Sequence, residues 1–191
     1  MRWLTLYARS RQVPASLAAV VISAVAVWAL VRDGGEGPGD PRLPVLLLAT
    51  GAMAASIGLS GQDLALDRTA AIGWVPRRAA HVLLAGVVVA AVLLTVQTLG
   101  EGMATTAFVV RDSAGLMGLV ALGAALSGGQ YAWALPFAWL SFSFFAPPAT
   151  SAPMQVATWM MLPAGTAAGT WTALVLAVAG TAAYAFAGPG R

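Results

Sequence analysis

The sequence predicts an all-α polytopic membrane protein, and three observations carry that prediction. Of its 191 residues, 59% are hydrophobic and only 9% are charged, against the roughly 25% charged residues that water-soluble domains use to cover their surface. Six apolar stretches approach the ~20 residues that cross a hydrocarbon core about 30 Å thick. The ten cations, all of them arginine, are unevenly divided among the segments that join those stretches. This composition excludes an ordinary cytosolic enzyme, a disordered tail and a nucleic-acid-binding domain. The net charge of +3 rests on ten cations against seven acids, spread along the chain and not gathered into a nucleic-acid patch. There is no cysteine, which excludes disulfides, thiolate metal sites and thiol nucleophiles.

The elements follow in order within a single transmembrane domain covering residues 1–191. Residues 1–12 set Trp3, Leu4 and Tyr7 on one side of a helix and Arg2, Thr5 and Arg9 on the other. That is the pattern of a helix lying in the membrane interface. The expected spans are 13–31, 43–60, 80–99, 104–127, 131–146 and 170–187. A cleaved signal peptide is not expected, because the first apolar run is span-length and ends at Arg32-Asp33 instead of a small-residue cleavage site. The loop after it, RDGGEGPGDPR, is a turn-rich connector.

With the N-terminus inside, cytoplasmic segments hold Arg2, Arg9, Arg11, Arg68, Arg77, Arg78 and Arg191, while external loops hold Arg32 and Arg42. Seven against two orients both termini to the cytoplasm.

Residues 61–81, GQDLALDRTAAIGWVPRRAAH, form the longest charged stretch. Asp63 and Asp67 stand one helical turn apart with Arg68 following, so a short helix is expected before Pro76 breaks the segment ahead of Arg77 and Arg78. Between the fifth and sixth spans, residues 146–169 carry no charge. Pro147, Pro148, Pro153 and Pro163 cut that stretch into short pieces around Trp159, Met160, Met161 and Leu162. A re-entrant hairpin on the outer side fits, its backbone covered by protein.

The chemistry within the spans is sparse. Arg111 and Asp112 are the only charges inside a predicted span. A charge at mid-bilayer costs at least ~2.5–3.5 kcal/mol, so these residues either face a protein- or water-lined interior, on a translocation pathway, or let Arg111 snorkel to the headgroups. Neighbours on a helix point about 100° apart, so the two do not pair automatically. With no lysine there is no P-loop. His81, the single histidine, lacks companions at metal-ligand spacing, so no metal site is expected. Gly58-Leu59-Ser60-Gly61 matches the GxSG around the nucleophile of rhomboid proteases. Ser60 closes the second span, not the fourth, and small residues ending a span account for the match. Gly51 with Ala55, and Ala114 with Gly118, have the spacing that lets helix backbones approach in lipid.

In layout the chain resembles the permease subunit of bacterial ABC-2 type ABC exporters. The matching pieces are the N-terminal amphipathic segment, the six runs, a cytoplasmic coupling helix within 61–81 and the stretch 146–169, and they cover most of the chain. The resemblance implies a membrane-spanning half without its own ATPase, and so no enzyme. It would work in the bacterial inner membrane as a homodimer or heterodimer. Partner nucleotide-binding subunits would bind ATP and Mg and dock on Asp63, Asp67, Arg68, Trp74, Arg77 and Arg78. Trp159, Met160 and Met161, with Arg111 and Asp112, would line or gate a path for a hydrophobic or amphiphilic cargo such as a peptide, lipid or drug. No cofactor is expected in this chain and no nucleic acid. The reading from a different class is a membrane scaffold or sensor subunit whose cytoplasmic loop docks another partner. For the topology, reporter fusions at Gly37 and at the C-terminus are expected on opposite sides of the membrane; the same side for both would overturn it.

Overall fold

A computed structural model describes residues 12–34, 41–59, 73–98 and 103–190. It is all-helical over those residues. Helix α1 spans Val13–Gly34, and α2 spans Arg42–Ala55 and runs on as a 3-10 turn over Ser56–Leu59. Helix α3 is Trp74–Thr98 and α4 is Thr106–Ser127. A 3-10 turn at Gly129–Tyr131 leads into α5, Ala134–Phe145. Helix α6 (Ala152–Ala157) and a 3-10 turn at Trp159–Met161 precede the last helix, α7 (Ala167–Ala187).

Four of the described helical stretches are long and apolar enough to cross a membrane: Arg42–Leu59, Trp74–Thr98, Thr106–Ser127 and Ala167–Ala187. The expected first span corresponds to α1, whose apolar run reaches Pro14–Ala26 among the described residues. The expected fifth span is the 12-residue α5, roughly 18 Å long. Its end is dictated locally. Pro147 forces the preceding residue out of the helical region, and Ala146 is extended at φ −68° and ψ 146°.

Helix α3 begins earlier than the expected third span, at Trp74. Pro76 does not break the segment there; it occupies the first turn of α3, where a missing N–H costs no intrahelical bond. Trp74, Arg77 and Arg78 therefore lie on a helix and not in a loop. Residues 1–11 and 60–72, which hold the expected interfacial helix, the expected coupling helix, Ser60, Asp63, Asp67 and Arg68, lie outside the described residues.

Helix α4 is the centre of the bundle, packed against α2, α3, α5 and above all α7. Thr105 caps its start, the side-chain oxygen accepting from Phe108 N at 3.3 Å. Leu116, Leu119, Val120, Ala121 and Ala124 are all at or below 1% exposure. The α4–α7 contact is backbone on backbone. A Cβ on Gly180 would fall on the Gly118 carbonyl oxygen, and one on Gly118 would fall on the Leu176 carbonyl. Of the expected small-residue pairs, Gly118 serves α7 and Gly51 faces Val89 of α3, whereas Ala114 is exposed. Gly180→Ala is expected to lower stability by at least about 1–3 kcal/mol, because the obstruction is main chain that cannot rotate away. Gly165→Ala, with nothing within 4 Å of the new methyl, is expected to stay within about ±0.5 kcal/mol. Unfolding midpoints of both variants in detergent check the pair.

Candidate functional site

Antiparallel packing gathers the polar side chains at two opposite ends of the bundle. At one end stand the start of α3, the 3-10 turn after α2 and the close of α7. Arg77 places Cζ 6.0 Å from the centroid of the Trp74 ring, a cation–π contact. Arg78 points a different way, onto Gly188 just beyond α7. Gly188 has φ +73°, and a Cβ there would lie 2.8 Å from the Arg78 Nη1. The Arg78 charge thereby rests at a helix C-terminus, where the macrodipole favours a cation. Tyr184 donates its hydroxyl to Leu59 O at 2.9 Å, joining α7 to the turn that closes α2. His81 lies over Gly58 of the GLSG tetrapeptide, with Nε2 3.1 Å from where a Cβ would stand.

Of the six residues expected to contact an ATPase, the structure brings Trp74, Arg77 and Arg78 together on one turn of α3 and separates their roles. Arg77 and Trp74 form a pair on the helix, and Arg78 serves the α3–α7 packing.

The opposite end is built on Arg111. Its helix position is set by α4, about 7.5 Å along from Thr106. The side chain is 6% exposed and folds against its neighbours. Nε donates to Asp112 Oδ1 at 2.6 Å, so the neighbours pair despite their 100° offset, the long arginine arm curling back to the next residue. Nη1 donates to Pro163 O at 2.8 Å and Nη2 to Leu162 O at 2.7 Å. The guanidinium also lies 5.0 Å from the Phe108 ring centroid.

Residues 146–166 thus fold back onto the bundle and are fastened at several points. Trp139 of α5 donates Nε1 to Ala157 O at 2.7 Å. Trp159 and Met160 are fully buried, both at 0% exposure, and Met161 is half-buried. The Trp159 ring lies against Gly115 so closely that a Cβ there would meet its Cζ3 at 2.9 Å and the Ala173 Cα at 3.0 Å. Gly169 makes room for Arg111, whose Nη1 would stand 3.0 Å from an added Cβ.

Between α3, α4 and α7 runs a groove of about 390 Å³ walled by Val82, Gly86, Ala90, Met117 and Ala177. Among the described residues its polar lining is Ser113 and Thr181, and the Ser113 hydroxyl is already spent on Val110 O at 3.1 Å. Such a surface accommodates hydrocarbon. Among the described residues no group of three His, Cys, Asp or Glu is placed to hold a metal.

The residues missed from the sequence are Trp139, Gly115 and Gly169. For Trp139 the available signal was an indole N–H inside an uncharged run, which needs a partner. Comparison with protein-family models, curated proteins and solved structures finds no match.

The division of labour between the adjacent arginines is measurable. Arg78→Ala is expected to cost about 0.3–2 kcal/mol through the lost helix-end contact, and Arg77→Ala about 0.5 kcal/mol or less. Thermal unfolding of the two variants side by side checks it.

Proposed function

We propose that this chain is the membrane-spanning half of an ATP-driven exporter of the ABC-2 type. It pairs with a second half, and separate nucleotide-binding subunits supply the ATP hydrolysis. The supporting observation is the polar arrangement: an aromatic–cationic pair on the first turn of α3 at one end, and a folded-back segment fastened by Arg111 at the other. The first end is cytoplasmic in this reading, in keeping with the arginine bias, and the second faces outward as a re-entrant hairpin in the bacterial inner membrane. Both termini are then cytoplasmic.

The mechanism follows from connection. Closure of the partner ATPases on ATP presses on Trp74 and Arg77, together with Asp63, Asp67 and Arg68 of the preceding segment. Helix α3 packs along both α4 and α7, so a push on its start reaches the two helices that seat residues 146–166. Rocking of the halves between inward- and outward-facing states is the two-state element that hydrolysis biases. The groove beside α3 supports a cargo with a hydrocarbon portion.

Arg77→Glu tests this reading better than the double charge reversal, since Arg78 also holds α7. In membranes containing the cognate ATPase, the variant is expected to weaken subunit binding by about tenfold or more. It should abolish the stimulation of hydrolysis, with insertion unchanged in the reporter fusions. Normal binding and normal ATP-dependent cargo movement in Arg77→Glu would overturn the docking assignment. The absence of any ATPase that co-purifies with the wild-type chain would overturn the exporter reading and favour a scaffold.

A further inference from the structure

The three nitrogens of the Arg111 guanidinium each donate to a different residue. One bond stays within α4, to Asp112 Oδ1, and two cross to the carbonyls of Leu162 and Pro163. The cation that holds residues 146–166 is therefore the one that Asp112 neutralises. Asp112 is itself 0% exposed, and its second oxygen, Oδ2, is buried with no hydrogen-bond partner in the structure. A carboxylate can receive a guanidinium fork on both oxygens, and here half of that capacity is unused. Trp159 Nε1 is another buried polar atom without a partner in the seated segment. Unsatisfied buried groups carry their full desolvation cost, so the seated arrangement leaves Asp112 Oδ2 open to a second donor.

We propose that Arg111 is a two-position latch. In the first position its Nη atoms hold Leu162 O and Pro163 O, and residues 146–166 sit on α4 and α7. In the second, the guanidinium turns onto both oxygens of Asp112 and the segment lifts, uncovering the bed around Gly115 and Ala173. The arginine stays neutralised in both positions, so the segment lifts without leaving a bare cation among apolar neighbours. Asp112 is the positioning residue: it gives Arg111 somewhere to go. The latch belongs to this chain alone and is independent of any ATPase partner.

The alternative is a fixed staple, in which Asp112 only neutralises a structural arginine, and the two arrangements predict opposite signs. The chain has no native cysteine, so Met160→Cys, at a fully buried position, reports lifting through its rate of reaction with a membrane-impermeant maleimide in proteoliposomes. Arg111→Lys keeps the charge but offers one ammonium to three acceptors, and labelling is expected to rise by about tenfold or more. Asp112→Asn keeps the shape and one acceptor oxygen but removes the second resting place. Labelling is then expected to slow by about tenfold, because the lifted state loses more than the seated one. A fixed staple requires Asp112→Asn to label faster, or not to fold, since it strips the charge partner from a buried arginine. Either outcome, or an unchanged rate in Asp112→Asn, overturns the latch, as does an unchanged rate in Arg111→Lys. If Arg111→Lys does not fold, the direction of the Asp112→Asn change decides alone.

Discussion

Where α4 crosses α7, the Gly118 carbonyl occupies the space in which any side chain on Gly180 would stand, and the remaining architecture is arranged around that contact. Helices in lipid gain little from hydrophobic association, since acyl chains are as apolar as leucine; what holds them is close packing. Main chain against main chain is the closest packing available. Because α4 and α7 form one body, Gly115 and Ala173 lie side by side as a flat bed, and Trp159 can lie across it. The same body gives α3 a surface to lean on, with the apolar groove left where the three helices do not quite meet.

Arginine is suited to the second fastening in a way that lysine is not. Its planar fork spans acceptors in different directions while keeping its charge, and here it reaches a carboxylate on its own helix and two carbonyls about fifty residues away in sequence. The two carbonyls follow a 3-10 turn at Trp159–Met161, and Pro163 O also accepts from Thr166 N at 3.0 Å. A single ammonium could not fork across the three acceptors in this way.

Much of the layout is legible in the chain because it rests on local rules. Pro147 and Pro148 end α5, and Pro153 opens the short α6. The uncharged run around Trp159-Met160-Met161-Leu162 gives away a segment that does not simply face water. The site was less legible. Nothing in the residue types of Leu162 or Pro163 marks their carbonyls as the acceptors for Arg111, since every residue carries one. Likewise Gly180 is one of 21 glycines, and only the crossing of two helices selects it. Arg77 and Arg78 read as equivalent charges in sequence. The 100° between them on α3 sends one to Trp74 and the other to Gly188. The start of α3 was misplaced because proline in the first turn of a helix looks, residue by residue, like proline that ends one.

Helix α5 is 12 residues long, roughly 18 Å, where the hydrocarbon region of a bilayer is about 30 Å thick. Phe137, Phe142 and Phe145 are exposed along it, so if α5 crosses the bilayer, as the proposed six-span layout has it, acyl chains beside it have no full-length partner. On that layout they compress and tilt to match it, and each ångström of mismatch costs a fraction of a kcal/mol. The strained lipid would then lie beside the helix that donates the Trp139 indole to Ala157, one of the fastenings of residues 146–166. Bilayer thickness would thereby enter the energetics of that segment: a thicker membrane would pull on α5 and, through Trp139, on whatever Arg111 is holding.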